Sequence, residues 1–166
     1  MLVVADASPL HYLILIAQIE LLPALYGTIT VPPVVLTELR RPQAPPAVRT
    51  WLTPEPAWLE VRQPRTPLPR ELQHLGAGER DAILLGQELQ ADLLLLDDHK
   101  GRQAAQQRSL TVMGTLGVLE RAAIIGRLDL SHAVTRLQAS DFRIHPNIIQ
   151  ELLERDAARR RDPRGR

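Results

Sequence analysis

The chain contains no cysteine, which removes disulfides, thiolate catalysis and zinc–sulfur sites together. Aromatic residues are almost as scarce, at 3% of the sequence, so the core must be built from Leu, Val, Ile and Ala. No apolar run reaches the ~18 residues that suggest a membrane-spanning helix. No basic segment precedes the first apolar run, which argues against a secretory signal and for a cytoplasmic protein. The histidines, His11, His74, His99, His132 and His145, lack any metal-binding spacing such as His-x-x-x-His and read as scattered surface residues. Only His99 stands apart, because it adjoins Asp98. Internal repeats and low-complexity runs are missing too, which leaves a globular domain.

What is present is ordinary in bulk and uneven in charge. A length of 166 residues suits one domain with a real core, and 45% hydrophobic with 23% charged residues is normal for a soluble chain. The formal net charge of +1 hides a basic end: Arg155, Arg159, Arg160, Arg161, Arg164 and Arg166 face only Asp156 and Asp162, leaving the body mildly acidic. The expected organisation is therefore a single domain over residues 1–154 and a basic, flexible tail over 155–166. That tail is either solvated or in contact with a polyanion such as nucleic acid.

Short apolar runs alternate with helical patterns. Leu2–Leu10, LVVADASPL, reads as a buried strand ending at Asp6, with Ser8 as N-cap and Pro9 as the first residue of a helix. Ile19–Tyr26 reads as a second apolar helix stopped by Gly27, Thr28–Val31 as a β-branched strand, and Val34–Arg40 as a helix started by Pro32-Pro33. Eight of the 14 prolines fall between Pro42 and Pro69. They mark a surface excursion with a short helix at Val48–Leu52, an edge strand near Trp58–Val61, and Trp51 and Trp58 to pack it down. Beyond it come a helix preceded by Gly78 and running to Leu89, a strand at Asp92–Leu96, a helix at Arg102–Arg108 and a strand at Leu110–Met113. Helices at Leu116–Ile125, Asp129–Leu137 and Asn147–Ala158 complete the chain. This alternation predicts βαβ units and an α/β domain with a parallel sheet.

In an open parallel sheet, functional groups collect at the carboxyl ends of strands, so Asp6 is either a site residue or merely a helix cap. The arrangement returns at LLLLDD, where Asp97 is nearest the sheet and Asp98 lies one step into the turn. Glu38 follows Val34 by four residues and Val35 by three, which sets it beside a buried helix flank. A charge there is rare unless it is paired or binds something. At ~100° per residue, Glu79 projects with Ala82, Ile83 and Gly86, while Asp81 points roughly opposite, in line with Glu88. Both acids also suit the positive end of a helix dipole, which accounts for Asp81 better than for a core-facing Glu79.

Asp6, Glu38, Glu79 and Asp97 are thus expected to converge at one end of the sheet. Carboxylates so crowded must protonate or be neutralised by cations or Arg, and no other counter-charge is evident near them in sequence. An oxygen-only donor set favours Mg²⁺ or Mn²⁺, which suits metal-assisted hydrolysis of a phosphodiester. Lys100, Arg102, Arg40 and Arg41 follow the acids closely and either meet phosphates or stay solvated. Gly114–Gly117, GTLG, is too little for a nucleotide-binding loop.

VVADASPL, the Glu of VVLTELRRP, GAGERDAILLG, LLLLDDHKG and VMGTLGVL together resemble the PIN-domain nucleases, most closely a VapC-like prokaryotic branch. The resemblance covers nearly the whole chain, including the FRIHPNIIQELLER end. It implies a PIN-like three-layer α/β/α sandwich with a central, mainly parallel, Rossmann-like sheet. It also implies a Mg²⁺- or Mn²⁺-dependent endoribonuclease acting on RNA, with Asp6, Glu38, Glu79 and Asp97 as the family's four acids. Ser8 and Thr115 match positions where the family often places hydroxyls near the metal, and Asp81 and Asp98 are rivals or helpers of Glu79 and Asp97. Many such proteins are toxins held by a small antitoxin protein, and many pair into homodimers, which the apolar helices at Leu10–Ile16 and Ile19–Leu25 would suit.

The alternative is a binding or regulatory module that keeps this frame without useful turnover. A haloacid-dehalogenase-like phosphatase fits less well, since it wants a second Asp two residues after the first, where Ser8 stands. A receiver domain wants an acidic pair beside the first strand, and Asp6 lies between two Ala residues.

Overall fold

The computed structural model describes residues 1–161 and resolves into two compact units, residues 1–115 and those from Leu116 onward. The first unit holds five short strands: β1 Val3–Ala5, β2 Ile29–Val31, β3 Leu59–Val61, β4 Leu93–Leu95 and β5 Val112–Met113. All are parallel, in the spatial order β3-β2-β1-β4-β5. The register sets Val3 against both Ile29 and Leu93, and Ala5 against Leu95.

The run of Val and Leu in the central strands has a direct structural consequence. Side chains alternate between the faces of a strand. Val4, Leu94 and Leu96 pack with Ala82, Ile83 and Leu85 on one side, while Val3, Ala5, Leu93 and Leu95, pointing the other way, are buried as well. Both faces of the sheet are therefore covered, as a parallel sheet requires. This is the α/β sandwich expected of the family resemblance, with helices flanking a central sheet.

The helices of this unit are α1 Ala7–Leu15, α2 Leu21–Tyr26, α3 Pro33–Leu39, α4 Pro46–Trp51, α5 Ala77–Glu88 and α6 His99–Gln107, with a 3₁₀ turn at Arg70–Leu72. The Pro-rich excursion contains α4 and delivers β3 to the sheet edge, and Trp51 and Trp58 pack on each other with ring centres 5.6 Å apart. Several helix starts shift by a residue or more from expectation, most tellingly at α1 and α6. Asp6, not Ser8, occupies the N-cap of α1, which puts Pro9 at the third helical position. Proline is tolerated there because first-turn N–H groups have no helical partner. Helix α6 begins three residues before Arg102, because Asp98 caps it by accepting the Gly101 N–H at 2.9 Å. The apolar residues of α1 and α2 are largely covered: Leu10, Leu13, Ile14, Leu21, Leu22 and Tyr26 are all buried. The large aliphatics left well exposed include Ile124, Ile125 and Ile148, while Tyr12, Leu15 and Leu25 of α1 and α2 stay partly exposed.

The second unit carries α7, which starts at Thr115 and runs to Ile124, then α8 Leu130–Gln138 and α9 Pro146–Arg161. Asp129 caps α8 through the His132 N–H at 3.1 Å. Helix α9 runs past Ala158, so Arg155, Arg159, Arg160 and Arg161 stand on it. Arg155 and Arg159 reach Glu120 at 3.1 and 3.5 Å, and the buried Asp156 takes Arg159 and Arg160 at 3.1 and 2.8 Å. Arg164 and Arg166 of the expected basic tail lie outside the described residues. Among the described residues no helix is long and apolar enough to cross a membrane.

Candidate active site

The strand order reverses between β1 and β4: the chain leaves β1 toward β2 and leaves β4 toward β5 on the other side. Loops diverge at such a switch point and open a crevice beyond the carboxyl ends of the two strands. Asp6 follows β1 directly and Asp97 follows β4 after Leu96, so the register leaves the two acids one residue out of step on neighbouring strands. The Asp6 N–H donates to the Leu95 carbonyl at 3.0 Å, which ties the two strand ends together.

Asp6 is only 5% exposed, and its Oδ1 has no hydrogen-bond partner among the described residues. Burial drives its pKa up to about 7, and the charges of Glu38 and Glu79 push the same way, against the N–H groups of Ala7 and Ser8. A buried, unpartnered carboxylate oxygen is costly, and native structures seldom keep one without a use for it.

Gly78 explains how these acids come so close. A Cβ at Gly78 would lie 2.5 Å from Asp6 Oδ1 and 2.9 Å from Glu38 Oε2, so only glycine lets α5 settle over both carboxylates. The Gly78 N–H donates to Glu38 Oε1 at 3.2 Å, fixing α3 to the first turn of α5. Glu79, half-buried, bends back to accept the Gly76 N–H at 3.1 Å, half of a capping box. Burial raises its pKa, and Asp98 and Glu38 raise it further, while His74 opposes them. Asp81 is also half-buried but faces Arg80, with 4.0 Å between Oδ1 and Nε. Burial raises its pKa and Arg80 lowers it, and the other acids are not among the causes.

Asp97 is held differently. The Thr115 N–H reaches Oδ1 at 2.7 Å and the Thr115 hydroxyl reaches Oδ2 at 2.6 Å, so one residue at the exit of β5 grips both oxygens. Burial raises the Asp97 pKa, and Thr115, Arg102 and the Ser8 hydroxyl pull it back. Ser8, relieved of capping, therefore serves Asp97. A Cβ at Gly114 would fall 2.8 Å from Asp97 Oδ1 and 3.1 Å from Arg102 Nη1, which locates the guanidinium beside this carboxylate. The site thus has the counter-charge that was not evident in the sequence. Asp98 is exposed and spends one oxygen on the α6 cap.

The structure gathers Asp6 and Glu38 under Gly78, sets Glu79 within electrostatic reach of both, and holds Asp97 one strand away in a hydroxyl and guanidinium clamp. Among the described residues, no three His, Asp or Glu side chains close round one point tightly enough to hold an ion by themselves. A hard cation such as Mg²⁺ asks for less, since it keeps several waters and takes one or two carboxylates. The unpartnered Asp6 oxygen and the cradle under Gly78 fit such an ion, which Asp6 and Glu38 could hold. In the sequence, Gly78 and Gly114 show only as glycines immediately before Glu79 and Thr115, and Arg102 only as a cation that follows the acids.

A family model described as a PIN domain matches residues 2–157. No curated protein and no solved structure matches the chain.

Proposed function

Because the chain belongs to the PIN-domain family, whose members are generally nucleases and typically use divalent metals, we propose that it is a Mg²⁺- or Mn²⁺-dependent endoribonuclease that hydrolyses RNA phosphodiester bonds at the β1/β4 crevice. The observation that carries this reading is the buried, partnerless Oδ1 of Asp6, set against Glu38 beneath Gly78 at the sheet's switch point. Asp6 and Glu38 would hold the ion, with Glu79 and Asp97 completing the negative field. A bound dication supplies a Lewis acid for a phosphate oxygen and an ionised water. Thr115 and Ser8 favour the ionised form of Asp97 against its burial and orient it, and Arg102 offers a guanidinium to the phosphate. Asp98, as a helix cap, and Asp81, beside Arg80, serve the frame rather than the reaction.

The VapC-like toxin role, with a small antitoxin as partner, belongs to the same proposal and is supported by the motif resemblance. A homodimer is supported by that resemblance alone. The test is cleavage of a labelled RNA by purified protein with Mn²⁺. Asp6→Asn, Glu79→Gln and Asp97→Asn should each abolish cleavage, and Asp81→Asn should do much less. Equal damage from Asp81→Asn would put that residue in the site.

A second reading is a binding or regulatory module on the same frame. It is favoured by one observation, that no three acids close round a single point among the described residues. Absence of RNA cleavage in both Mg²⁺ and Mn²⁺, with the acid variants keeping every cellular effect, would leave that reading standing.

A further inference from the structure

Helix α6 carries a stripe that the catalytic reading does not use. Lys100, Gln103 and Gln107 recur at three- and four-residue spacing, so they share one face, and Arg108 continues it at the helix end. Ala104, short and buried, lies between them as a floor. Glu71 and His74, from the 3₁₀ turn and the loop after it, form the facing wall, and together these residues enclose a groove of about 390 Å³. Apart from Ala104 the lining is polar or charged, which is the wrong chemistry for an apolar ligand.

The charge is mostly positive. Among the described residues Lys100 has no ion-pair partner, and Arg108, which donates to the Ala104 carbonyl at 3.4 Å, has only the well-exposed Glu71 as an ion-pair partner, at 3.9 Å. A pair of that length, with its carboxylate in solvent, contributes little and is readily exchanged for another anion. One wall of the groove stands near the carboxylate site. Lys100 stands two residues past Asp98, and on the other wall His74 lies close enough to Glu79 to lower its pKa. From Lys100 to Arg108 the helix advances about 12 Å at 1.5 Å per residue. A stacked strand advances about 3.4 Å per nucleotide, so roughly three nucleotides span that length.

We propose that this groove seats the single-stranded RNA flanking the bond to be cut, with phosphates on Lys100 and Arg108 and sugar or base edges on Gln103 and Gln107. The occupant rests on the nuclease reading; the location rests on the groove itself. Amides both donate and accept, which suits 2′-hydroxyls and the edges of unpaired bases. With His74 the single aromatic ring in the lining, binding here depends mainly on charge and hydrogen bonds and weakens steeply with salt.

The test is fluorescence anisotropy with a labelled single-stranded RNA oligonucleotide in EDTA, where binding is read without cleavage. Lys100→Ala with Arg108→Ala should raise Kd about tenfold or more, and should flatten the plot of log K against log salt by roughly 1.4, at about 0.7 per lost phosphate contact. Lys100→Glu with Gln103→Glu alters only exposed side chains, so folding is spared, and it should weaken binding at least as much. Arg136→Ala, on the exposed face of α8, should change nothing. Unchanged Kd and slope in both groove variants would overturn the proposal even if Mn²⁺-dependent cleavage is intact. Groove-dependent RNA binding by a protein that cleaves nothing would uphold the groove and sink the nuclease. Binding of an acidic peptide, and not RNA, at the same residues would overturn it in favour of a protein partner.

Discussion

Gly78 stands over Asp6 so closely that a Cβ on it would come within 2.5 Å of Oδ1. Real Cβ atoms do not approach that near, so Gly78→Ala must push the Asp6 and Glu38 carboxylates away or lift the start of α5. Alanine favours a helix over glycine by about 1 kcal/mol, which offsets part of the strain. The expected result is therefore a melting temperature within a few degrees of wild type and cleavage reduced at least tenfold. Differential scanning fluorimetry beside a cleavage assay checks it; full activity in Gly78→Ala would mean the carboxylates need not meet there.

Asp6 makes stability depend on pH. Its folded pKa of about 7 lies above the ordinary carboxyl value of 3.8, so between those limits the folded protein holds a proton that the unfolded chain releases. Stability from this group is full below about pH 4 and is lost as pH rises toward 7, by about 4 kcal/mol at most, at 1.36 kcal/mol per unit. Asp6→Asn removes the dependence. In EDTA it should melt higher than wild type at pH 8 and similarly at pH 4. A variant that melts lower at pH 8 would contradict the burial argument.

Thr115 holds both oxygens of Asp97, one through its N–H and one through its hydroxyl. Thr115→Val keeps the shape and the N–H but loses a charge-assisted hydrogen bond, which should cost about 1.5–3 kcal/mol by chemical denaturation. Thr115→Ser should restore most of the stability and the activity. Equal losses in both variants would point to packing of the methyl group rather than to the hydroxyl.

Arg102 competes with any cation for Asp97. Arg102→Gln should therefore bind Mn²⁺ more tightly, by a few-fold in calorimetry, while its KM for RNA rises because a phosphate partner is gone. Weaker Mn²⁺ binding in the variant would mean the guanidinium supports the site instead of opposing the ion.

Much of this was legible in the chain. The Val- and Leu-rich runs marked β1, β2 and β4, and the acids at their ends marked the crevice, because burial and the sheet's switch point are written in local pattern. Asp6 and Ser8, two good caps, stand two residues apart, and only the fold decides that Asp6 sits at the N-cap position of α1 while Ser8 turns to Asp97. Helix α6 starts three residues before Arg102 because Asp98 accepts the Gly101 N–H as its cap, a contact that local pattern does not announce. Close approach is invisible without coordinates, so Gly78 and Gly114 gave no sign of the carboxylates packed against them. The pairing of Arg155 with Glu120 crosses 35 residues, and Asp156 is buried among arginines that looked merely basic.

The most direct measurement is a calorimetric titration of the metal-free protein with Mn²⁺ at pH 8, where Asp6 is ionised, for wild type and Asp6→Asn. A buried acid whose Oδ1 has no protein partner, facing Glu38 under Gly78, should bind one or two ions in wild type and lose most of that affinity in Asp6→Asn. Equal binding by the two proteins, or none by wild type, would contradict a metal site at the end of β1.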